Sequence, residues 1–162
     1  MNHLIWPVSL VGILSTAVVF GTDMFFLTVG RSALRLASEN SATEVMGFFH
    51  LFGDKRMPIW GVLGILSNLL LGLSTRGGPR GLYLLSFSVQ ILFVVLYNRL
   101  SKPINRLQTE TARAGGRLDN ARELQASWDR SVMIRVPLLA VSLLAQCIAL
   151  LTTSAVTPLI WT

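Results

Sequence analysis

The chain has little of the polar chemistry on which soluble enzymes rely. Only 14% of its 162 residues are charged and 52% are hydrophobic, whereas soluble proteins carry about 25% charged residues. The single cysteine, Cys147, excludes an intramolecular disulfide and a cysteine cluster for metal. The two histidines, His3 and His50, argue against a haem held by paired histidines. The composition therefore predicts a membrane protein.

Long apolar stretches are what the chain has in abundance, and four of them approach the roughly 20 residues that cross a bilayer. They lie at 4–29, 57–73, 82–97 and 132–153. A turn rich in Gly and Pro at 74–81 separates the second from the third and predicts a tight hairpin. We expect an all-α integral membrane protein, an antiparallel four-helix bundle that forms one domain over 1–162.

Positive charge is concentrated in the first and third connecting loops. Every Lys and Arg except Arg76 and Arg80 lies in these loops or at their membrane boundary. The positive-inside rule makes such loops cytoplasmic and places both termini outside. Because the positive charge follows the membrane topology, we expect the protein to associate with the lipid bilayer and not with nucleic acid. The small size and the Arg-rich loops favour a bacterial inner (cell) membrane.

Each cytoplasmic loop is expected to contain an amphipathic helix. Residues 41–44, Ser-Ala-Thr-Glu, match a capping box with Ser41 as N-cap, and Pro58 marks a break before the second span. In the other loop Pro103 disfavours helix at the residue before it, so the third span ends or kinks there. Gly115 and its neighbour Gly116 predict a further break before the helix that enters the fourth span.

The few polar residues in the apolar stretches and near their ends fall into two groups by depth. Asn68, Gln90 and Gln146 lie away from the cytoplasmic end, where interhelical hydrogen bonding is their expected role. The cytoplasmic-end group consists of Asp23, His50, Asn98, Asn105, Trp128 and Arg135. Because ionisable residues within a membrane mark functional sites by default, this group predicts a pocket.

The titratable residues of this group each have two possible roles. Asp23 and Arg135 are natural partners, since neither charge is stable alone in apolar surroundings. The pair either locks two spans together or belongs to a binding or catalytic site. His50 is either a surface residue at the interface or a general base. The sequence contains no phosphate-binding loop, nucleophile elbow or metal signature, so no metal site is assigned and the cofactor is none or unknown. Metal binding through Asp23 and His50 stays open as an alternative.

Short motifs along the chain resemble those of the anthrone oxygenase-like family, small four-span membrane proteins often classed as a domain of unknown function. The first motif consists of residues 21–26 followed by 31–34 and corresponds to the first span of the family. The second motif, Asn98, Pro103 and Asn105, follows the third span. The third motif, Trp128 and Arg135, lies where the chain enters the fourth span. Many relatives have a His between that Trp and Arg, whereas residues 129–134 contain none.

The resemblance implies oxidation of a lipophilic aromatic or quinol-type substrate by molecular oxygen, without an evident metal or flavin. A base removes the acidic methylene proton of an anthrone, and the resulting carbanion reduces oxygen directly. The residues implied are His50 or Asp23 as base, Arg135 and Asn98 as oxyanion stabilisers, and Trp128, Phe49 and Asn105 as substrate-binding residues.

Two functional classes therefore stay open. The first is a membrane oxygenase. The second is a non-enzymatic accessory subunit or small-ligand-binding protein of a larger membrane complex, with homo-oligomers included. A ligand-sized cavity lined by His50, Asn98 and Trp128 favours the enzyme, and a closed Asp23–Arg135 salt bridge favours the subunit. A transporter is disfavoured because four short spans enclose little volume.

Overall fold

The computed structural model describes residues 2–156 of the chain, with side chains from Leu4 to Thr153. Of these described residues 93% are helical and none lies in a strand. The elements, in chain order, are α1 (Asn2–Phe25), a first π-helical turn (Phe26–Gly30), α2 (Arg31–Leu36), α3 (Glu39–Ser74), α4 (Gly77–Leu96), a second π-helical turn (Tyr97–Ser101), α5 (Lys102–Arg113) and α6 (Ala121–Val156).

Four continuous helical stretches are long and apolar enough to cross a membrane. They are Leu4–Leu36, Glu39–Ser74, Gly77–Arg113 and Ala121–Thr153. Each contains one of the four predicted spans, so the number and the helical nature of the spans are confirmed by length and composition. The connection at 74–81 is even shorter than predicted, because α3 continues to Ser74 and α4 begins at Gly77, whose φ is +64°.

The predicted break before the second span is wrong. Helix α3 runs without interruption through Pro58, because proline already has a helical φ and interrupts only local backbone bonding, a cost that membrane helices tolerate. The helix also begins earlier than the capping box suggested. The hydroxyl of Ser38 accepts the backbone N–H of Ser41 at 3.2 Å, so Ser38 is the N-cap.

The predicted end of the third span near Pro103 is wrong. Helix α4 ends at Leu96, but the helical backbone continues through the π-helical turn into α5, and Lys102, the residue before Pro103, is itself helical. The chain breaks after α5 at Gly115, whose φ of +61° ends the helix. Helix α6 then starts at Ala121, as the two glycines predicted.

The helices contribute to two compact units, each described by itself. The first consists of the described residues up to Phe20, Ile59–Leu92, and those from Leu138 onward. The second consists of Gly21–Pro58 and Phe93–Pro137. The single domain over 1–162 stays a prediction.

Two buried glutamines join helices in the first unit. The amide nitrogens of Gln90 and Gln146 both donate to the hydroxyl of Thr16 at 2.8 Å, and Gln146 donates also to Ser86 at 3.0 Å. This confirms the interhelical role predicted for the glutamines. Asn68 differs, because its amide donates to the carbonyl of Gly64 in its own helix at 2.8 Å.

Helix α5 packs directly on the backbone of α3 in the second unit. A Cβ atom at Gly47 would lie 2.4 Å from the carbonyl oxygen of Gln108 and 2.5 Å from the Cβ of Ala112. The hydroxyl of Thr109 donates to the carbonyl of Gly47 at 3.1 Å. The missing side chain at Gly47 thus allows the contact that fixes the position of Gln108.

We predict that Gly47→Ala lowers the free energy of unfolding by about 1–3 kcal/mol, the usual cost of overpacking. Gly53→Ala is the matched control in the same helix, because no atom lies within 4 Å of its added Cβ. The control should be neutral or more stable by up to about 1 kcal/mol, since Ala favours helix over Gly. Thermal midpoints in detergent measure both, and an equal response of the two variants contradicts the prediction.

Candidate functional site

All seven predicted site residues belong to the second unit, and most of them are buried there. The buried ones are Asp23, His50, Asn105, Trp128 and Arg135. Phe49 and Asn98 are exposed. The contacts of the buried residues define what the cluster can do.

Asp23 and Arg135 form a closed, bidentate ion pair. Nε of Arg135 donates to Oδ2 of Asp23 and Nη2 to Oδ1, both at 3.0 Å. The remaining terminal nitrogen, Nη1, donates to the hydroxyl of Ser101 at 2.5 Å. Both carboxylate oxygens are therefore engaged by the guanidinium, which neutralises two charges that would be costly to bury singly.

Three aromatic rings surround the guanidinium of Arg135. Its central carbon lies 5.7 Å from the ring of Phe93, 5.6 Å from that of Tyr97 and 5.7 Å from that of Trp128. These distances are within the range at which a cation is attracted to an aromatic face. The rings thus stabilise the buried cation from the sides that Asp23 does not cover.

A short chain of hydroxyls continues from Arg135. Ser101, at the end of the second π-helical turn, lies 2.8 Å from the hydroxyl of Ser131, which donates to the carbonyl of Trp128 at 2.7 Å. Because the guanidinium donates to Ser101, the hydroxyl of Ser101 is left to donate to Ser131. Every proton of this chain therefore has a fixed direction.

Trp128 leads to a partly buried carboxylate, that of Asp54. The indole N–H of Trp128 donates to Oδ1 of Asn105 at 2.9 Å, and the amide of Asn105 donates to Oδ1 of Asp54 at 2.9 Å. The hydroxyl of Tyr97 donates to the same carboxylate oxygen at 2.5 Å. Asn105 is thus a bridge that fixes the indole of Trp128 relative to a tyrosine–carboxylate pair.

His50 is buried against Trp128, which excludes the alternative of a surface residue at the interface. Its ring centre lies 5.3 Å from the nearest Trp128 ring, and its Nε2 lies 2.9 Å from Oε1 of Gln108. The amide nitrogen of Gln108 donates onward to Gln125 at 3.4 Å. Since a carbonyl oxygen only accepts, the neutral imidazole carries its proton on Nε2, and Nδ1 is its basic nitrogen.

A series of aromatic rings leads from the exterior to this imidazole. The ring of Phe49 is half exposed and lies 5.6 Å from that of Phe26, which in turn lies 5.1 Å from Trp128. Both contacts are edge-to-face, the favoured geometry of aromatic pairs. Phe26 opens the first π-helical turn, and the sequence motifs pointed to its span without singling it out.

Asn98 is the predicted site residue that the structure leaves out of the cluster. Its amide donates to the carbonyl of Val94 at 2.8 Å, within the helix, and its side chain is exposed. Tyr97, one residue earlier, and Ser101, at the end of the π-helical turn, contact the cluster instead.

Asp54, Gln108 and Ser101 also contribute to the cluster and were not among the predicted site residues. All three carried a signal in their spacing. Asp54 follows His50 by four residues, Gln108 follows Asn105 by three, and Ser101 precedes Asn105 by four, so each falls at the spacing of a shared helix face with a residue already singled out.

One cavity of about 120 Å³ lies in the second unit, with Gln108, Gln125 and Asp129 in its wall. This volume is smaller than the roughly 300 Å³ at which ligand pockets begin. His50, Asn98 and Trp128 do not line it. Within the described residues no three His, Cys, Asp or Glu side chains are grouped so as to hold a metal ion.

Fold and site together define an all-helical protein with four helices that could cross a membrane and a buried cluster of ionic, carboxamide and aromatic side chains. A comparison of the chain with family models finds no match, and searches of curated proteins and of solved structures find no significant match either.

Proposed function

We propose that the protein is a membrane-embedded, anthrone oxygenase-like enzyme that oxidises a lipophilic aromatic or quinol-type substrate with molecular oxygen. The observation that carries the proposal is the aromatic series from the exposed Phe49 through Phe26 to Trp128, which ends on the imidazole of His50. Buried ionisable groups in membrane helices and π-helical turns both concentrate at functional sites. The second unit has both features.

His50 is the base in this proposal. Both oxygens of Asp23 accept hydrogen bonds from Arg135, whereas Nδ1 of His50 has a lone pair available for a proton. The substrate methylene gives its proton to His50, and the carbanion passes one electron to oxygen. Superoxide and the substrate radical combine to a peroxide anion, which takes the proton back from His50, and loss of water then leaves the carbonyl product. Arg135, beside Trp128, is the cation assigned to the oxyanion in this proposal, and that role requires its guanidinium to be shared between Asp23 and the oxyanion.

The membrane arrangement belongs to the same proposal. The four spans form an antiparallel bundle in a bacterial inner membrane, with amphipathic helices and the site at the cytoplasmic end and both termini outside. Charge supports this placement, because all acidic residues and all basic residues except Arg76 and Arg80 belong to the second unit.

Oxygen consumption and quinone formation from an anthrone, measured on the protein in lipid nanodiscs, test the proposal. Two half-exposed phenylalanines of α3 provide a matched pair, since Phe49 contacts Phe26 while Phe52 contacts Arg56 instead. We predict that Phe49→Leu raises KM about 2- to 10-fold, the worth of one aromatic contact. Phe52→Leu should leave KM unchanged.

The proposal fails if wild-type nanodiscs form quinone no faster than empty ones across anthrone and hydroquinone substrates. An equal rise in KM for the two phenylalanine variants would show that the substrate does not use the aromatic series.

A second candidate is a non-enzymatic accessory subunit or small-ligand-binding protein of a larger membrane complex. Two observations favour it. Both oxygens of Asp23 are engaged by Arg135, so the pair holds helices together without any substrate. The cavity of about 120 Å³ is smaller than a ligand pocket and is not lined by His50, Asn98 or Trp128. Native purification in mild detergent distinguishes the candidates. A partner retained at fixed stoichiometry, together with no turnover, supports the subunit.

A further inference from the structure

The chain has two tyrosines, and their hydroxyls have different surroundings. Tyr83, in the first unit, is fully buried, and its hydroxyl lies 2.9 Å from that of Ser9. Tyr97, in the second unit, donates its proton to the carboxylate of Asp54 at 2.5 Å. Only the second arrangement places a base at the end of the phenolic O–H bond.

Asn105 holds this phenol and carboxylate together. Its amide nitrogen donates to Oδ1 of Asp54 at 2.9 Å and contacts the hydroxyl of Tyr97 at 3.3 Å. Its carbonyl accepts the indole N–H of Trp128. The ring of Tyr97 is also stacked on that of Phe93, with centres 6.5 Å apart, and lies beside the guanidinium of Arg135. The phenol is therefore fixed in one orientation.

We propose that Tyr97 and Asp54 form a one-electron redox site. Tyr97 gives one electron to an oxidant of the aryloxyl or semiquinone class, its O–H bond breaks, and the proton moves to Oδ1 of Asp54. The products are a neutral tyrosyl radical, a carboxylic acid and the reduced, anionic oxidant. When an electron returns to Tyr97, the proton moves back along the same hydrogen bond.

Electrostatics favour this pairing of electron and proton. An oxidised phenol that keeps its proton is a cation and a strong acid, and an isolated cation is costly in apolar surroundings. Transfer to Asp54 removes that cation and also neutralises a partly buried carboxylate. The proton stays inside the site, so no aqueous path is needed.

Trp128 connects this site to the aromatic series described above. It shares Asn105 with the pair, and both its ring and that of Tyr97 lie within 6 Å of the Arg135 guanidinium. An electron can therefore leave Tyr97 towards the side of the cluster where His50 and Phe26 lie. The redox site requires only a one-electron oxidant. The proposal of this site therefore does not depend on whether an anthrone is the substrate.

Photo-oxidation followed by electron paramagnetic resonance tests the proposal. Full-length protein in detergent is illuminated with ruthenium tris(bipyridine) and persulfate and then frozen. In Tyr83→Phe protein Tyr97 is the only tyrosine, and we expect its tyrosyl signal to match that of the wild type. Tyr97→Phe should lower the tyrosyl signal about tenfold or more, because it removes the phenol and leaves only Tyr83, whose hydroxyl lies against that of Ser9 rather than against a carboxylate that could accept its proton.

Asp54 provides the readout that a purely structural tyrosine would not give. Asp54→Asn should lower the radical yield about tenfold, while Asp54→Glu, which keeps a carboxylate, should retain most of it. A signal that disappears with Tyr83, or one that is unchanged in a folded Asp54→Asn protein, overturns the proposal. If Tyr97→Phe does not fold, the Tyr83→Phe protein decides alone, because absence of a tyrosyl signal there also overturns it.

Discussion

Replacing Arg135 with leucine is expected to lower the free energy of unfolding by about 3–5 kcal/mol, the cost of leaving one member of a buried ion pair alone. Asp23 then keeps a carboxylate whose two oxygens have lost both guanidinium donors. Ser101 also loses its charged donor. Reversible unfolding in detergent measures the loss.

The double variant Asp23→Leu/Arg135→Leu distinguishes a lost pair from lost packing. With both charges removed there is no unpaired group, so its stability should return to that of the wild type or exceed it. Arg130→Leu is the matched control, because Arg130 is exposed on the same helix and bonds only locally to Ser127. A change within about 0.5 kcal/mol is expected there. A double variant as unstable as Arg135→Leu would contradict this account.

The pairing of Asp23 with Arg135 could be predicted from the sequence because buried charges require partners. A carboxylate near the end of one apolar span and a guanidinium near the start of another leave little choice. The four helical stretches were predictable for a similar reason, since hydropathy over about 20 residues is a local property. Pro58 shows where local rules fail, because a proline that ends a helix in water is tolerated inside α3.

Which side chains point towards the buried cluster could not be predicted with the same success. Asn98 was assigned to the site by its depth at the cytoplasmic end of the third span and by the family resemblance, and depth does not specify the helix face on which a side chain lies. Its neighbour Tyr97 faces the cluster, whereas the amide of Asn98 donates within its own helix. The π-helical turn at Tyr97–Ser101 changes the register of the residues that follow it, and no residue type specifies such a turn.

His50→Gln is expected to lower kcat by about 10²- to 10⁴-fold, the usual contribution of a general base. The glutamine amide can still donate to Gln108, so the change removes the basic nitrogen while keeping that hydrogen bond. The chain's other histidine gives the matched control, and His3→Gln should keep wild-type kcat. Initial rates of quinone formation in nanodiscs measure both variants.

Chemical rescue separates a lost base from a disturbed cluster. In His50→Ala the space between Gln108 and Trp128 is left open, and added imidazole should restore part of kcat because it supplies the same base at the same place. A disturbed cluster would not respond to imidazole. If His50→Gln kept most of its activity, the base would lie elsewhere, and the buried imidazole would be a structural partner of Gln108 and Trp128 alone.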